Sequence, residues 1–353
     1  MARKTYDPIK IGIIGLGRAG WGMHYGELNR RGRRSKYDIV AGCDVLKKRR
    51  DMLAEACGCT TYKDYEELIA DPDVELVDIA TPSPLHVDMA KAALRAGKLV
   101  FLEKSIALDY RGAKEIADAA KKSTGKIWFR HNRRFEPAFN HVRDILESGV
   151  LGRVFDIRLS RGGYQRRDDW QTLIRCGGGQ LLNWGPHIVD HALQLIDAPV
   201  AEQYSVLDRV AAVGDAEDHL RILLRGDNGC LAQVRISGGC ALPEPEYMIH
   251  GDKGSLRCDG GRIEMRYLDP AVKPTRRRAK SSTPPFGGFG SAEDLQWVER
   301  SIQVKPTPKV DCDHIWDALY DTIRHGKAFP VTTDQALAVM RVITDARKGS
   351  AFD

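Results

Sequence analysis

Apolar and polar positions change rhythm about a third of the way along the chain. In the first third, short apolar runs at residues 9–15, 38–43, 74–80, 99–103 and 126–130 read as strands. Helical patterns at 21–30, 46–56, 66–70, 86–96 and 113–122 alternate with them. Repeated strand–helix units of this length predict a parallel sheet with right-handed crossovers. After about Phe135 a helix at 138–147 leads through Gly149 and Gly152 into longer alternating stretches at 154–160, 220–224, 230–237, 246–250, 255–258 and 262–267. Period-two alternation predicts antiparallel strands of a second, α+β domain. The Pro/Gly/Ser-rich basic segment 273–291 reads as a loop, and helices at 312–325 and 334–346 bracket the turn Phe329-Pro330-Val331.

The expected fold class is an α/β Rossmann domain plus an α+β domain with a large, mostly antiparallel open sheet. Its boundaries are 1–134 for the first unit, 135–330 for the second, and 331–353 for a C-terminal helix packing back on the first. A length of 353 residues fits two cores better than one.

Composition narrows the classes. Hydrophobic content of 42% with 29% charge is ordinary for a globular chain, and no apolar run approaches a membrane span. The start of the chain lacks the apolar segment and cleavage site of a secretory signal, so the expectation is a cytoplasmic protein with no membrane partner. Eight cysteines (43, 57, 59, 176, 230, 240, 258 and 312) show no zinc-ribbon spacing and read as reduced thiols. The net charge of +6 is spread over basic runs at 30–34, 47–50 and 276–278. No nucleic-acid module accompanies them, so nucleic acid is not an expected partner, while an anionic cofactor suits the balance.

Gly15-Leu16-Gly17-Arg18-Ala19-Gly20 matches G-x-G-x-x-G. With this glycine content about 0.3 such matches arise by chance per chain, so context decides. The run follows an apolar strand directly and opens a helix, and Asp44 stands at the end of the next strand. That is the order of a dinucleotide cradle. The first glycine makes the tight turn, the second admits the pyrophosphate, and the third lets helix and strand close up. Asp44 would accept hydrogen bonds from the ribose and repel a 2′-phosphate, which places NAD ahead of NADP. Lys47, Lys48, Arg49 and Arg50 follow closely, however, and keep NADP as the less favoured cofactor.

Several further motifs, taken together, resemble the Gfo/Idh/MocA oxidoreductases, the family of glucose-fructose oxidoreductase and inositol dehydrogenase. Thr81-Pro82-Ser83-Pro84-Leu85-His86 is similar to the segment after the family's third strand, which lies beside the cofactor. Glu103-Lys104-Ser105 resembles its Glu-Lys-Pro, with Lys104 in the place of the catalytic lysine. Asn132-Arg133-Arg134-Phe135-Glu136-Pro137 resembles the stretch joining the two domains. Gly177-Gly178-Gly179 followed by Asn183, His187 and Asp190 resembles the run lining the substrate site, and Ala328-Phe329-Pro330-Val331-Thr332 also looks familial. The resemblance spans about residues 9–350 and rests on the order and spacing of these motifs. It implies cofactor contacts from Thr81, Pro82, His86, Glu103 and Lys104, and an eight-stranded or similar open sheet often buried in dimers and tetramers. Two residues depart from the pattern. Ser105 replaces the usual proline, so the turn presenting Lys104 is expected to differ, and Asn183 replaces the usual aspartate.

Oxidising a secondary alcohol requires a hydride acceptor, a base for the hydroxyl proton and positive charge near the developing alkoxide. His187 titrates near working pH and is the expected base. Lys104 is the donor to the substrate oxygen, and Asn183 an orienting group. Pro186 suits the first turn of a helix starting near Gly185, which sets His187, Asp190, His191 and Gln194 on one polar stripe. Asp190 is expected to support His187 or cap nearby backbone. Arg133, Asp190 and His191 join His187 and Asn183 as expected substrate contacts. The loop Arg166-Arg167-Asp168-Asp169-Trp170, with Tyr164, offers rings to stack on a sugar and Asp169 to bond hydroxyls, although surface loops of this composition are common. His187 and His191 also stand i, i+4, a spacing that suits a metal, but no third ligand is signalled and none is expected.

These features predict an NAD-dependent oxidoreductase acting on a sugar, cyclitol or sugar-like polyol, assembled as a homodimer or homotetramer. Two alternatives remain. One is a redox-neutral enzyme that uses bound NAD for transient oxidation to cleave or eliminate. The other is a non-enzymatic NAD-sensing regulator.

Overall fold

The computed structural model describes residues 7–30, 32–279, 281, 293–304 and 311–353. The expected loop at 273–291 lies outside the described residues at 280 and from 282 on, as does Arg31 of the first basic run.

The apolar runs of the first third become β1 (Ile9–Ile14), β2 (Tyr37–Cys43), β4 (Leu76–Ile79), β5 (Leu99–Leu102) and β6 (Lys126–Phe129), joined by a short β3 (Thr60–Tyr62). They pair in parallel in the order β3-β2-β1-β4-β5-β6. All four β4 residues are buried, because helices cover both faces of a parallel sheet. The helix after β1 opens with a π-helical run, Gly20–Tyr25, and continues as α1 (Gly26–Leu28). The other helices of this half are α2 (Lys47–Cys57), α3 (Tyr65–Ala70), α4 (His86–Arg95) and α5 (Tyr110–Lys121). The Asp64 and Asp109 side chains cap α3 and α5 by accepting from the Glu66 and Gly112 N–H groups. Strand order reverses between β1 and β4, the place where sheets of this kind bind ligands beyond their carboxyl ends.

α6 (Pro137–Glu147) leads into the second unit, where α7 (Gln180–Asn183) and α8 (Gly185–Ile196) lie against an eight-stranded sheet. Its strands are β7 (Val154–Gly162), β8 (Val200–Asp208), β9 (His219–Gly226), β10 (Leu231–Ser237), β11 (Tyr247–Gly251), β12 (Gly254–Asp259), β13 (Arg262–Leu268) and β14 (Trp297–Gln303). The order is β14-β13-β12-β11-β7-β10-β9-β8, with β7 and β10 parallel and the other neighbours antiparallel.

The last two helices are α9 (Ile315–His325) and α10 (Thr333–Arg347), of which α10 ties the units together. One expectation is corrected here. The segment holding α9, assigned by sequence to the second unit, packs on the first. Trp316 is fully buried, its ring 4.9 Å from Phe101, and its carbonyl accepts the Tyr37 hydroxyl at 2.6 Å. Arg324 adds a two-pronged pair with Glu75 at 2.5 and 2.6 Å. α10 starts with a reciprocal Thr332–Gln335 capping box and lies between α5 of the first unit and α8 and β8 of the second.

Candidate active site

The glycine-rich turn is shaped by close approach. Gly15 has φ +92°, and a Cβ there would stand 2.9 Å from the Ala80 backbone. At Gly20 a Cβ would stand 2.0 Å from the Gly15 carbonyl oxygen. Gly17 differs, since the nearest atom to such a Cβ would be the Arg49 guanidinium at 3.6 Å, so its backbone face is open. Asp44, at the end of β2, accepts the Leu16 and Leu46 N–H groups at 2.9 Å each, and Arg49 stands 3.2 Å from it. The carboxylate therefore ties the turn to the start of α2. Two closed glycines, one open glycine and an acidic residue after β2 fit a dinucleotide cradle. Arg18 is exposed and Ala19 half-buried beside it.

Thr81 and Pro82 follow β4 at the sheet's carboxyl end, and Pro82 is exposed. His86 is different. It is fully buried, its ring spanning the Thr81 and Ser105 carbonyl oxygens at 2.8 and 2.7 Å, and it joins the turn after β4 to the turn after β5 instead of facing a ligand. The Lys104–Ser105 peptide bond in that second turn is cis.

Lys104 leaves the carboxyl end of β5, and its Nζ donates to the Asn183 carbonyl at 2.8 Å, with Asn183 Oδ1 at 3.4 Å. Burial lowers its pKa, Glu103 opposes that, and Arg18, Arg133 and Arg130 add to it. His187 sits in the first turn of α8, buried, with Nδ1 unpartnered among the described residues. Burial, then the Lys104 and Arg133 charges, hold its pKa well below the usual imidazole range. The ring is therefore neutral at neutral pH and free to accept.

The stripe expected from α8 is corrected, because α8 is buried on nearly every side. Asp190 receives Arg134 in two bonds of 2.8 and 2.6 Å. Arg134 also donates to the Pro330 carbonyl and Gln335, so Asp190 anchors α8 to the start of α10 and does not support His187. His191 donates from Nε2 to the Arg133 carbonyl, accepts the Tyr247 hydroxyl on Nδ1, both at 3.0 Å, and stacks on Phe139 at 3.9 Å. Burial lowers its pKa to about 4. With both nitrogens used it is a core histidine, available neither to a substrate nor to a metal shared with His187.

Arg133 lies over the Trp184 ring at 4.4 Å, Arg161 is 4.8 Å from the same ring, and Glu136 pairs with both. In the polar loop, Asp169 pairs with Arg167 at 2.7 Å and accepts the Gln171 N–H at 2.8 Å. Trp170 and Tyr164 are exposed. The loop reaches the reacting centre through Gln171, which accepts from Arg167 at 2.6 Å and donates to Asn183 Oδ1 at 3.4 Å.

Sequence reasoning missed Gln171 and Glu217. Glu217 is buried and accepts the Leu181 N–H at 2.7 Å, and a Cβ on Gly179 would come within 2.1 Å of its carboxylate. Burial raises its pKa to about 7, and it shares a cavity with Asn183, Gln171 and Arg167. No motif surrounds it. The only signal is indirect: Gly179, at φ +104°, leaves the space this carboxylate fills.

Comparison with known proteins agrees with this geometry. Residues 9–131 match the model of an oxidoreductase family with an NAD-binding Rossmann fold, and residues 139–257 match that of the GFO/IDH/MocA C-terminal domain. A scyllo-inositol 2-dehydrogenase (NADP(+)) of Bacillus subtilis is 26% identical, covering 99% of this chain and 95% of its own. A trans-1,2-dihydrobenzene-1,2-diol dehydrogenase of Mus musculus is 26% identical over 81% of this chain and 80% of its own. Among solved structures, GenD2 from gentamicin A biosynthesis, in complex with NAD, superposes with a TM-score of 0.78 at 21% identity, covering 99% of this chain and 96% of that one. Both units of the chain, in the same order, therefore carry one signature, and the protein belongs to the Gfo/Idh/MocA family of NAD-binding oxidoreductases.

Proposed function

We propose that the protein oxidises a secondary hydroxyl of a sugar, cyclitol or sugar-like polyol, or reduces the corresponding ketone. The observation that carries this reading is the cluster at the carboxyl end of β5: a half-buried lysine beside a neutral histidine whose Nδ1 has no partner among the described residues, with Asn183 holding the lysine. Bound NAD supplies the hydride acceptor. The turn 15–20 and Asp44 would hold it, together with Thr81 and Pro82. His187 accepts the hydroxyl proton. The Lys104 ammonium donates to the substrate oxygen as negative charge grows there. Asn183 carries no charge and fixes the direction of Lys104.

The relatives' names support a ring-borne diol, since one is called an inositol dehydrogenase and another a dihydrodiol dehydrogenase. All eight cysteines are free thiols, which suits a cytoplasmic setting, and no described helix is long and apolar enough to cross a membrane. A screen of sugars, cyclitols and polyols with NAD, following NADH absorbance and product mass together, tests the proposal. NADH formed in step with a keto product supports it. Product without NADH would assign the redox-neutral chemistry that the missing carboxylate at Asn183 permits. No product from any member of the panel would leave an NAD-sensing protein.

A further inference from the structure

Behind Lys104 a chain of charged side chains crosses the interior of the first unit. His24, on the π-helical run after the glycine-rich turn, places Nδ1 2.7 Å from Asp78 of β4 and Nε2 3.4 Å from Glu103 Oε1. Arg130, just past β6, donates to the same Glu103 oxygen at 2.9 Å and to Glu27 at 2.5 Å. Glu27 also accepts the Trp316 indole N–H at 2.7 Å. The second Glu103 oxygen accepts the backbone N–H of Lys104 at 2.6 Å. His24, Asp78, Glu103 and Arg130 are all buried, at no more than 5% exposure.

Charges this deep persist only when matched. Asp78, Glu103 and Glu27 are three carboxylates facing Arg130 and His24. With the His24 ring protonated, one negative charge remains, and the Lys104 ammonium balances it. Burial, and then the Arg130 charge, work against that proton on His24, but Asp78 and Glu103 together outweigh them and raise the pKa to about 9. Glu103 stays ionised against burial through its bonds to His24 and Arg130. The groups facing His24 are Asp78, Glu103, Arg130 and Glu27, with the Trp316 ring edge-on at 5.5 Å from α9. Those facing Lys104 are Glu103, Arg130, Arg18, Arg133 and His187.

We infer that His24, clamped between Asp78 and Glu103, is a positioning residue that acts through Glu103 to hold the backbone and the charge of Lys104. One buried ionic chain thereby joins the helix of the dinucleotide turn to the reacting lysine. The inference rests on the proposed role of Lys104. Its first test needs no substrate: competitive acetylation with acetic anhydride, quantified at Lys104 by mass spectrometry across pH, reads the protonation of that amine. His24→Gln removes a cation near Glu103, so the Lys104 midpoint is expected to rise by about half a unit or more. The Lys104-dependent limb of kcat/KM should move with it while NAD affinity holds. An unmoved midpoint in the folded variant would overturn the inference. Should His24→Gln fail to fold, histidine ring resonances of the wild-type protein decide: His24 is expected to titrate near 9, and a ring neutral at pH 7 would overturn the inference. A shifted midpoint in a protein that turns over no polyol would support the ionic chain and count against the proposed activity alone.

Discussion

Asn183 is one of the two residues read from the sequence as departing from the family's pattern, and the structure shows what its amide does. It receives Lys104 on two oxygens and Gln171 on one of them, so it directs the lysine without adding charge. Asn183→Asp would put a carboxylate beside two groups whose pKa values now lie low. Both should rise, and the pH optimum of turnover should move upward, which a pH–rate profile reads directly. Glu217 gives a stability counterpart. Its folded pKa is raised to about 7 by burial, so between the ordinary carboxylate range and pH 7 the folded protein keeps a proton that the unfolded chain has released. Stability should therefore fall as pH rises through that window and level off above it. Glu217→Gln keeps an acceptor for the Leu181 N–H and should be more stable than the parent by up to about 3 kcal/mol at pH 8 in urea unfolding, with little difference near pH 4. Lys104, Asn183 and His187 were legible because each stands in a local motif. Glu217 and His24 were not, because their partners come from elements far away in sequence, and Gln171 was not because it stands in no motif, although its partners Arg167 and Asn183 lie nearby in the chain.

Among the elements, the three strands that the hydrophobic pattern did not predict, β3, β8 and β14, are edge strands. An edge strand has one hydrogen-bonding neighbour and buries little, and not one residue of β3, β8 or β14 is fully buried. The alternation that marks a strand is correspondingly weak there. The stripe on α8 failed for the opposite reason: its polar residues face inward to Arg134, Arg133 and Tyr247, and amphipathic spacing cannot tell solvent from a buried partner. The glycine-rich turn was readable because its glycines stand at fixed spacing between a strand and a helix, even though the close contact at Gly15 is with the Ala80 backbone after β4. Its Asp44 holds the mouth of α2 with Arg49 close by. Calorimetry should show tighter binding of NAD(H) than of NADP(H), with the preference narrowed in Asp44→Ala. Equal or tighter NADP(H) binding would mean that Arg49 outweighs the carboxylate.

In the whole molecule the second sheet has helices on one face only. On the other, Tyr204, Val206 and Leu231 are exposed beside Arg221 and Arg225, and Arg257 pairs with Glu264 near the far edge. A sheet face that carries exposed apolar side chains among charged ones suits a second copy of the chain, and a homo-oligomer is expected. Light scattering at micromolar concentration checks this, and a mass near 39.3 kDa would contradict it. The reacting centre lies on the helix-bearing side of that sheet, where Lys104 of the first unit meets Asn183 of the second. If Lys104 stabilises the alkoxide and His187 takes its proton, Lys104→Met and His187→Ala should each lower kcat by at least about 10²-fold on any polyol the wild type oxidises, with NAD affinity nearly unchanged. Near-wild-type kcat in both variants would place the chemistry elsewhere.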